Sequence, residues 1–126
     1  MRVLVVGAGA IGMLVGGRLA LAGHSVTLVA RPALAEHLRR EGLRVVGAEG
    51  AQVARNVEVV TSVAEAASAQ FDWLALTVKA YDVEAAAAEI AAAFPAPPTV
   101  ITFQNGVGSE EIVQQLLPAA PLVAAS

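Results

Sequence analysis

Residues 3–12 read Val3-Leu4-Val5-Val6-Gly7-Ala8-Gly9-Ala10-Ile11-Gly12, and this stretch decides the fold. Its four consecutive branched apolar residues predict a β-strand that is buried on both faces. Three glycines follow with the spacing G-x-G-x-x-G, and a helical pattern begins among them. Gly7 permits a tight turn, Gly9 leaves room for a pyrophosphate, and Gly12 lets the helix pack close to the strand. Strand, turn and helix together predict dinucleotide binding by residues 7–12, with a purely structural turn as the alternative.

The residues downstream complete a β-α-β unit. We expect a helix from about Ile11 to Ala22, with an apolar stripe at Ile11, Val15, Leu19 and Ala22. Gly23 follows it as a C-cap residue would. Gly16 and Gly17 lower the helix propensity, which indicates close packing against the cofactor or the sheet. Residues 26–29 then form the second strand, so the unit is complete within 30 residues.

The position after the second strand decides which nicotinamide cofactor is preferred. A site selective for NAD needs a carboxylate about 20 residues beyond the glycines, where it bonds the ribose 2′-hydroxyl. Here Arg31 stands 19 residues after Gly12, and no acidic residue occupies that place. Because an arginine pairs with a 2′-phosphate, we predict NADP (NADPH) as the cofactor. Arg39 and Arg40 are expected on the solvent-exposed face of the following helix, where either could supplement Arg31. The alternative for Arg31 is a solvated loop charge before Pro32.

The rest of the chain alternates strands and helices. Helices are expected at 32–41, 82–94 and 109–117. A brief alanine-rich helix is also expected to begin at the capping box Ser62-Val63-Ala64-Glu65. A small hairpin is expected at 43–46 and 51–54, and main strands near 2–6, 25–30, 57–60, 73–78, 99–103 and 122–125. This order predicts an α/β fold of the Rossmann type, with three layers (α/β/α) around a mostly parallel, doubly wound sheet.

Two polar residues follow later strands of the predicted sheet. Lys79 is the single lysine of the chain and comes directly after the run 72–78, while Asn105 follows the strand 99–103. Ligands of open α/β sheets bind outside the carboxyl ends of the strands. A cation there can polarise a substrate carbonyl, and an amide can bond a hydroxyl or a carboxamide. From position alone, Lys79 could equally end a strand in water, and Asn105 could belong to an ordinary Asn-Gly turn.

Composition and charge exclude several classes of function. At 126 residues the chain is one domain that can bury its own core. The net charge is −3, and nothing in the sequence suggests the clustered basic residues that bind nucleic acid, so we expect no nucleic-acid partner. Without cysteine, disulfide and thiolate chemistry are excluded, and we predict no metal site.

The uncharged run from Val3 to Gly17 is not expected to enter a membrane. It is shorter than the ~18 residues that a membrane span needs, and five of its residues are glycine. A signal peptide is also not expected, because only Arg2 precedes the apolar run as a basic residue. We therefore expect no membrane partner, no targeting segment and a cytoplasmic protein.

Three stretches in this order resemble a known family. They are the glycine turn 7–12, Thr77-Val78-Lys79-Ala80-Tyr81-Asp82, and Gln104-Asn105-Gly106-Val107-Gly108-Ser109-Glu110-Glu111. Together they resemble the N-terminal domain of the ketopantoate reductases (2-dehydropantoate 2-reductases). The resemblance implies a Rossmann domain followed by an all-helical domain, and NADPH-dependent reduction of 2-dehydropantoate to pantoate for coenzyme A synthesis. It also implies that residues 7–12 hold the pyrophosphate, Arg31 holds the 2′-phosphate, and Lys79 and Asn105 line the pocket for nicotinamide and substrate.

The same resemblance implies that residues 1–126 are a truncated reductase, a dinucleotide-binding domain without the helical domain. In the family that second domain supplies the lysine that acts as general acid, and Lys79 is not assigned this role. We expect NADPH binding to survive, catalysis on the 2-oxo acid to be weak or absent, and self-association through surface that the second domain would cover. Two alternatives stay open: a related dehydrogenase domain for another 2-oxo or 2-hydroxy acid, and a dinucleotide-sensing module without chemistry.

Overall fold

The computed structural model describes residues 1–48, 50–103 and 109–124. The strands in these ranges are β1 (Arg2–Val6), β2 (Ser25–Val29), β3 (Leu43–Gly47), β4 (Gly50–Ala54), β5 (Val57–Val60), β6 (Trp73–Leu76), β7 (Thr99–Thr102) and β8 (Leu122–Ala124). The α-helices are α1 (Ala10–Leu21), α2 (Pro32–Glu41), α3 (Val83–Ala93) and α4 (Ser109–Leu116), with short 3₁₀ turns at Ala64–Ala66 and Ala80–Asp82. The predicted alternation of strands and helices is therefore confirmed.

Six strands form one parallel sheet in the order β5-β2-β1-β6-β7-β8. Strand β1 lies at its centre, because Val3 is paired with Val26 of β2 on one side and with Trp73 of β6 on the other. The strand order reverses between β1 and β6, the point at which doubly wound sheets bind their ligands. Strands β3 and β4 form the predicted antiparallel hairpin outside this sheet. The predicted Rossmann-type fold is confirmed, with a main sheet whose pairings are all parallel.

Two hydrophobic cores cover the two faces of the sheet. Leu4 and Val6 of β1 belong to a core that they share with buried residues of α3 and α4. Val3 and Val5 point to the other face, where they share a core with α1, α2 and the hairpin. The predicted three layers are thereby confirmed. None of the helices within the described ranges has both the length and the apolar character that a membrane crossing requires.

The apolar stripe predicted for α1 is wrong at its two ends. Ile11 is 49% exposed and Ala22 is exposed as well, while Val15 and Leu19 are half-buried against the core. The buried positions of the helix are Gly12, Gly16, Gly17 and Ala20. The face of α1 that packs on the sheet therefore consists of small residues, where the pattern of large apolar residues predicted another face.

The reason for this difference is the short distance between the α1 backbone and its neighbours. A Cβ atom on Gly16 would lie 3.6 Å from Val26 Cγ1 in the sheet, an ordinary contact. A Cβ atom on Gly17 would overlap the Val45 side chain of the hairpin. Of the two explanations predicted for these glycines, packing against the protein itself requires a glycine at Gly17 and admits only a small residue at Gly16, because hairpin and sheet fill the space that larger side chains would need.

The segment between β5 and β6 is not the alanine-rich helix that the sequence predicts. Only the 3₁₀ turn at Ala64–Ala66 forms. The capping box is half made: the Glu65 amide donates to Ser62 Oγ at 3.3 Å, but the Glu65 carboxylate accepts a hydrogen bond from the Thr61 hydroxyl. A segment this short gains too few hydrogen bonds to offset the cost of nucleating an α-helix.

Candidate functional site

The carboxyl ends of the central strands lie side by side at one edge of the sheet. Val6, at the end of β1, is paired with Val29 of β2 and with Leu76 of β6. The turn 7–12 therefore leaves the sheet between the end of β2 and the end of β6. Because neighbouring strands lie about 4.8 Å apart, the residues that follow these three strands are within reach of one extended ligand.

Gly7 makes a turn that other residues would not tolerate. Its φ of +116° belongs to a region that L side chains rarely adopt. A Cβ atom at this position would also lie 2.7 Å from the backbone nitrogen of Val78, and a contact this short requires the backbone to move. The turn residue predicted from the sequence is thus required by the fold on two independent grounds.

Gly12 is the place where α1 comes closest to the end of β1. A Cβ atom on Gly12 would overlap the carbonyl oxygen of Gly7 and would lie 2.7 Å from Thr77 Oγ1. The absence of that atom lets the first turn of the helix rest directly on the turn that precedes it. Gly12 therefore brings the N-terminus of α1 to the edge of the sheet, as the sequence predicts.

At Gly9, in contrast, no contact with the described residues requires a glycine. Its backbone is extended, with φ −82° and ψ −168°, a conformation open to any residue. A Cβ atom placed there would meet no atom of the described residues within 4 Å. Gly9 is the N-cap of α1, where no side chain caps the helix and the first turn carries no acidic residue. No side chain of the described residues covers the N–H groups of this first turn, so an anion can approach them.

The other residues of the glycine motif lie around this space. Ala8 is half-buried in the turn, whereas Ala10 and Ile11 are exposed at the start of α1. Small or outward-pointing side chains at these positions leave the backbone accessible. This arrangement provides backbone donors and a helix dipole for a phosphate group.

Thr77 is a site residue that our sequence reasoning missed. It follows β6, which ends at Leu76 and not at Val78 as predicted, and it is only 8% exposed. Its hydroxyl donates to the carbonyl oxygen of Gly7 at 2.7 Å, with the carbonyl oxygen of Val6 at 3.1 Å. The signal in the sequence is a hydroxyl residue at the end of a buried apolar run, next to Lys79.

Arg31 lies on the β2 side of the glycine turn. It is the N-cap of α2, in extended conformation, and its side chain is exposed. Within the described ranges no carboxylate forms an ion pair with its guanidinium. In a dinucleotide-binding sheet this is the side on which the ribose of the adenosine lies. The position of Arg31 is therefore compatible with contact to a 2′-phosphate.

Arg39 and Arg40 have other partners. The Arg39 guanidinium donates to the carbonyl oxygen of Val59, from Nη2 at 2.8 Å and from Nε at 3.2 Å, and so joins α2 to the edge strand β5. Arg40 makes long, exposed ion pairs with Glu36 and Glu41. Both lie at least two helical turns, or ~12 Å, along α2 from Arg31. The structure therefore gives neither of them the supplementary role considered from the sequence.

Lys79 lies on the β6 side of the glycine turn, two residues after Thr77. Its side chain is exposed, and its carbonyl oxygen accepts from the Asp82 amide at 2.8 Å in the turn that leads into α3. The edge thus carries Arg31 and Lys79 on opposite sides of the turn 7–12. Asn105, the other predicted residue of this pocket, lies outside the described residues.

Comparisons with known proteins agree with the Rossmann-type fold. A model of the family described as ketopantoate reductase PanE/ApbA matches residues 3–126. A 2-dehydropantoate 2-reductase of Archaeoglobus fulgidus is 43% identical over 112 residues, which cover 89% of this chain and 35% of that protein. The crystal structure of a PanE/ApbA family ketopantoate reductase from Ralstonia eutropha JMP134 superposes with a TM-score of 0.90 at 32% identity, covering 100% of this chain and 41% of that one.

The fold also occurs in an enzyme whose structure contains NADH. A D-mandelate dehydrogenase, solved with NADH and anilino(oxo)acetate, superposes with a TM-score of 0.86 at 24% identity, covering 100% of this chain and 40% of that one. At this identity the likeness concerns the fold alone. The present chain spans 35% to 41% of the length of these relatives.

Proposed function

Because the chain belongs to the ketopantoate reductase family, we propose that residues 1–126 are the NADPH-binding part of an enzyme that reduces 2-dehydropantoate to pantoate in the cytoplasm. The observation that carries the binding proposal is Gly9. Packing of the residues at 1–48, 50–103 and 109–124 gives no reason for a glycine there, since a Cβ atom would meet none of their atoms within 4 Å. A pyrophosphate lying against the backbone at the N-terminus of α1 does give one.

The residues at the edge of the sheet fit the parts of the cofactor in order. The turn 7–12 would hold the pyrophosphate, and Arg31, on the β2 side, would pair with the 2′-phosphate. The nicotinamide would then lie on the β6 side, where Lys79 follows the strand. Asn105, after β7, is proposed to complete this pocket. The order of β2, β1 and β6 in the sheet supports this assignment, because it separates Arg31 from Lys79 by the glycine turn.

Reduction of the ketone needs a proton as well as a hydride. NADPH, when bound, supplies the hydride to the carbonyl carbon. Lys79 would hold the carbonyl oxygen or a cofactor hydroxyl by its charge. The alkoxide that results needs a proton donor. We propose that this general acid lies outside residues 1–126, in the part of the longer relatives that this chain does not cover.

Titration of the chain with NADPH and NADH, followed by cofactor fluorescence, tests the binding proposal. We expect NADPH to bind more tightly, and Arg31→Ala to weaken NADPH by about 10- to 100-fold, since a hydrogen bond to a charged group contributes about 1.5–3 kcal/mol. The affinity for NADH, which has no 2′-phosphate, should change less than about threefold. The matched control is Arg40→Ala, an exposed arginine on the same helix. Equal loss of both cofactors in Arg31→Ala would contradict the role of Arg31.

Catalysis is tested in a full-length protein, in which residues 1–126 are followed by the part of a family member that this chain does not cover. There Lys79→Ala should lower kcat/KM for 2-dehydropantoate by about 100-fold, the effect of removing one donor that stabilises a developing oxyanion. Arg44→Ala, an exposed cation on the hairpin, is the control. An unchanged rate with Lys79→Ala would contradict the role proposed for Lys79, whereas a full-length protein that binds NADPH without any turnover would favour a module that only senses the dinucleotide. A panel of 2-oxo acids separates 2-dehydropantoate from related substrates.

A further inference from the structure

The Thr77 hydroxyl holds a peptide group of the glycine turn in one orientation. The backbone of Thr77 is already fixed, because its amide donates to the carbonyl oxygen of Val6 at 2.9 Å. Its hydroxyl makes a further hydrogen bond, to the carbonyl oxygen of Gly7 at 2.7 Å. The side chain therefore adds a contact that β-sheet pairing does not require.

This contact determines where the next amide points. In a trans peptide the carbonyl and the N–H that follows it point in opposite directions. Because the Gly7 oxygen faces Thr77 and the place that a Cβ atom of Gly12 would take, the Ala8 N–H is directed away from both residues. Across residues 1–48, 50–103 and 109–124 no acceptor is bonded to this N–H.

The turn needs such a restraint because Gly7 is glycine. A residue without Cβ rotates about its backbone bonds at little steric cost, so the peptide that joins Gly7 to Ala8 has other accessible orientations. A rotated peptide would direct its carbonyl oxygen to the open edge, where that oxygen would repel a phosphate. The hydroxyl of Thr77 prevents this rotation.

We infer that Thr77 is a positioning residue for dinucleotide binding: its hydroxyl orients the peptide between Gly7 and Ala8 so that the Ala8 N–H faces the pyrophosphate. The inference rests on the proposed function for the identity of the ligand. Successive backbone N–H groups directed at one point are a known means of holding anions. Thr77 itself need not touch the cofactor.

The test compares two substitutions at this position. Thr77→Val keeps the shape of the side chain and removes the hydroxyl, whereas Thr77→Ser keeps the hydroxyl. We expect Thr77→Val to weaken NADPH binding by about tenfold and Thr77→Ser to stay within about threefold of the original chain. Adenosine 2′-monophosphate has no pyrophosphate, so its affinity should be equal in all three proteins. The Ala8 amide resonance in ¹H–¹⁵N spectra should shift on NADPH addition in the original chain and in Thr77→Ser, and much less in Thr77→Val.

A general structural defect would reduce the affinities for NADPH and adenosine 2′-monophosphate together, and this outcome overturns the inference. So does a Thr77→Val protein that binds NADPH like the original chain, or a Thr77→Ser protein as weak as Thr77→Val. If the original chain binds neither NADPH nor NADH, the proposed function fails instead, which the first titration shows before any variant is measured.

Discussion

Replacing Gly12 by alanine is expected to destabilise the domain by about 3 kcal/mol and to lower its melting temperature by roughly 10 °C. The added Cβ would overlap the Gly7 carbonyl oxygen, which is backbone and cannot move away as a flexible side chain can. Relief of the overlap requires α1 to separate from the end of β1, so NADPH binding should be lost as well. Thermal unfolding followed by circular dichroism measures the first effect.

Gly16→Ala is the matched control for this experiment. Gly16 lies one helical turn after Gly12 and is also buried, but its added Cβ would make only ordinary contacts, at 3.6 Å with Val26 and 3.7 Å with Val5. Alanine is favoured over glycine within a helix by about 1 kcal/mol, so this variant should be as stable as the original chain or more stable. A Gly12→Ala protein that melts within about 2 °C of the original chain would contradict the packing that we describe.

Gly9→Val is expected to lower the affinity for NADPH by about 100-fold or more, equivalent to ~2.8 kcal/mol, while the domain stays folded. The backbone of Gly9 is extended and its Cβ position is open, so a branched side chain fits the protein. The same side chain would occupy the space proposed for the pyrophosphate. Valine is a poorer N-cap residue than glycine, which costs stability less than about 1 kcal/mol.

The control for Gly9→Val is Ala22→Val, which adds bulk to an exposed position at the other end of α1. Titration with NADPH and a melting curve are measured for both variants. Gly9→Val and Gly12→Ala thus separate two expected requirements: Gly9 for the ligand alone and Gly12 for the fold. If Gly9→Val binds NADPH as tightly as the original chain, the pyrophosphate does not lie against this part of the backbone.

Much of the architecture could be predicted from local patterns. Helix α2 has the predicted bounds, Pro32–Glu41, because proline favours the first helical turn and Gly42, with φ +80°, ends the helix. Helix α3 lies within the predicted range 82–94, and its buried residues, among them Val83 and Ile90, recur at helical spacing. The β-strands were found because a strand buried on both faces is a run of apolar residues.

Two predictions differ from the structure: the buried face of α1 and the helix after Ser62. The sequence predicts large apolar residues on the buried face of α1. Because the helix lies close to the sheet and the hairpin, only small residues such as Gly16 and Gly17 fit there. The helix predicted after Ser62 does not form because the segment is too short to offset the cost of nucleation, and the Glu65 carboxylate bonds Thr61 instead of completing the cap. The neighbours that decide the buried face of α1 are distant in the chain, whereas Thr61 directly precedes the predicted capping box.

The sequence by itself determined which segments are strands, where the glycine turn lies and which family the chain belongs to, because these depend on residues near one another in the chain. Only the tertiary structure decided that Thr77 contacts Gly7 from 70 residues away, that Gly12 and not Ile11 faces the sheet, and that Arg31 and Lys79 lie on opposite sides of the turn. These facts depend on strand order and register. Strand order and register follow from how all the segments pack together, and no local pattern specifies them.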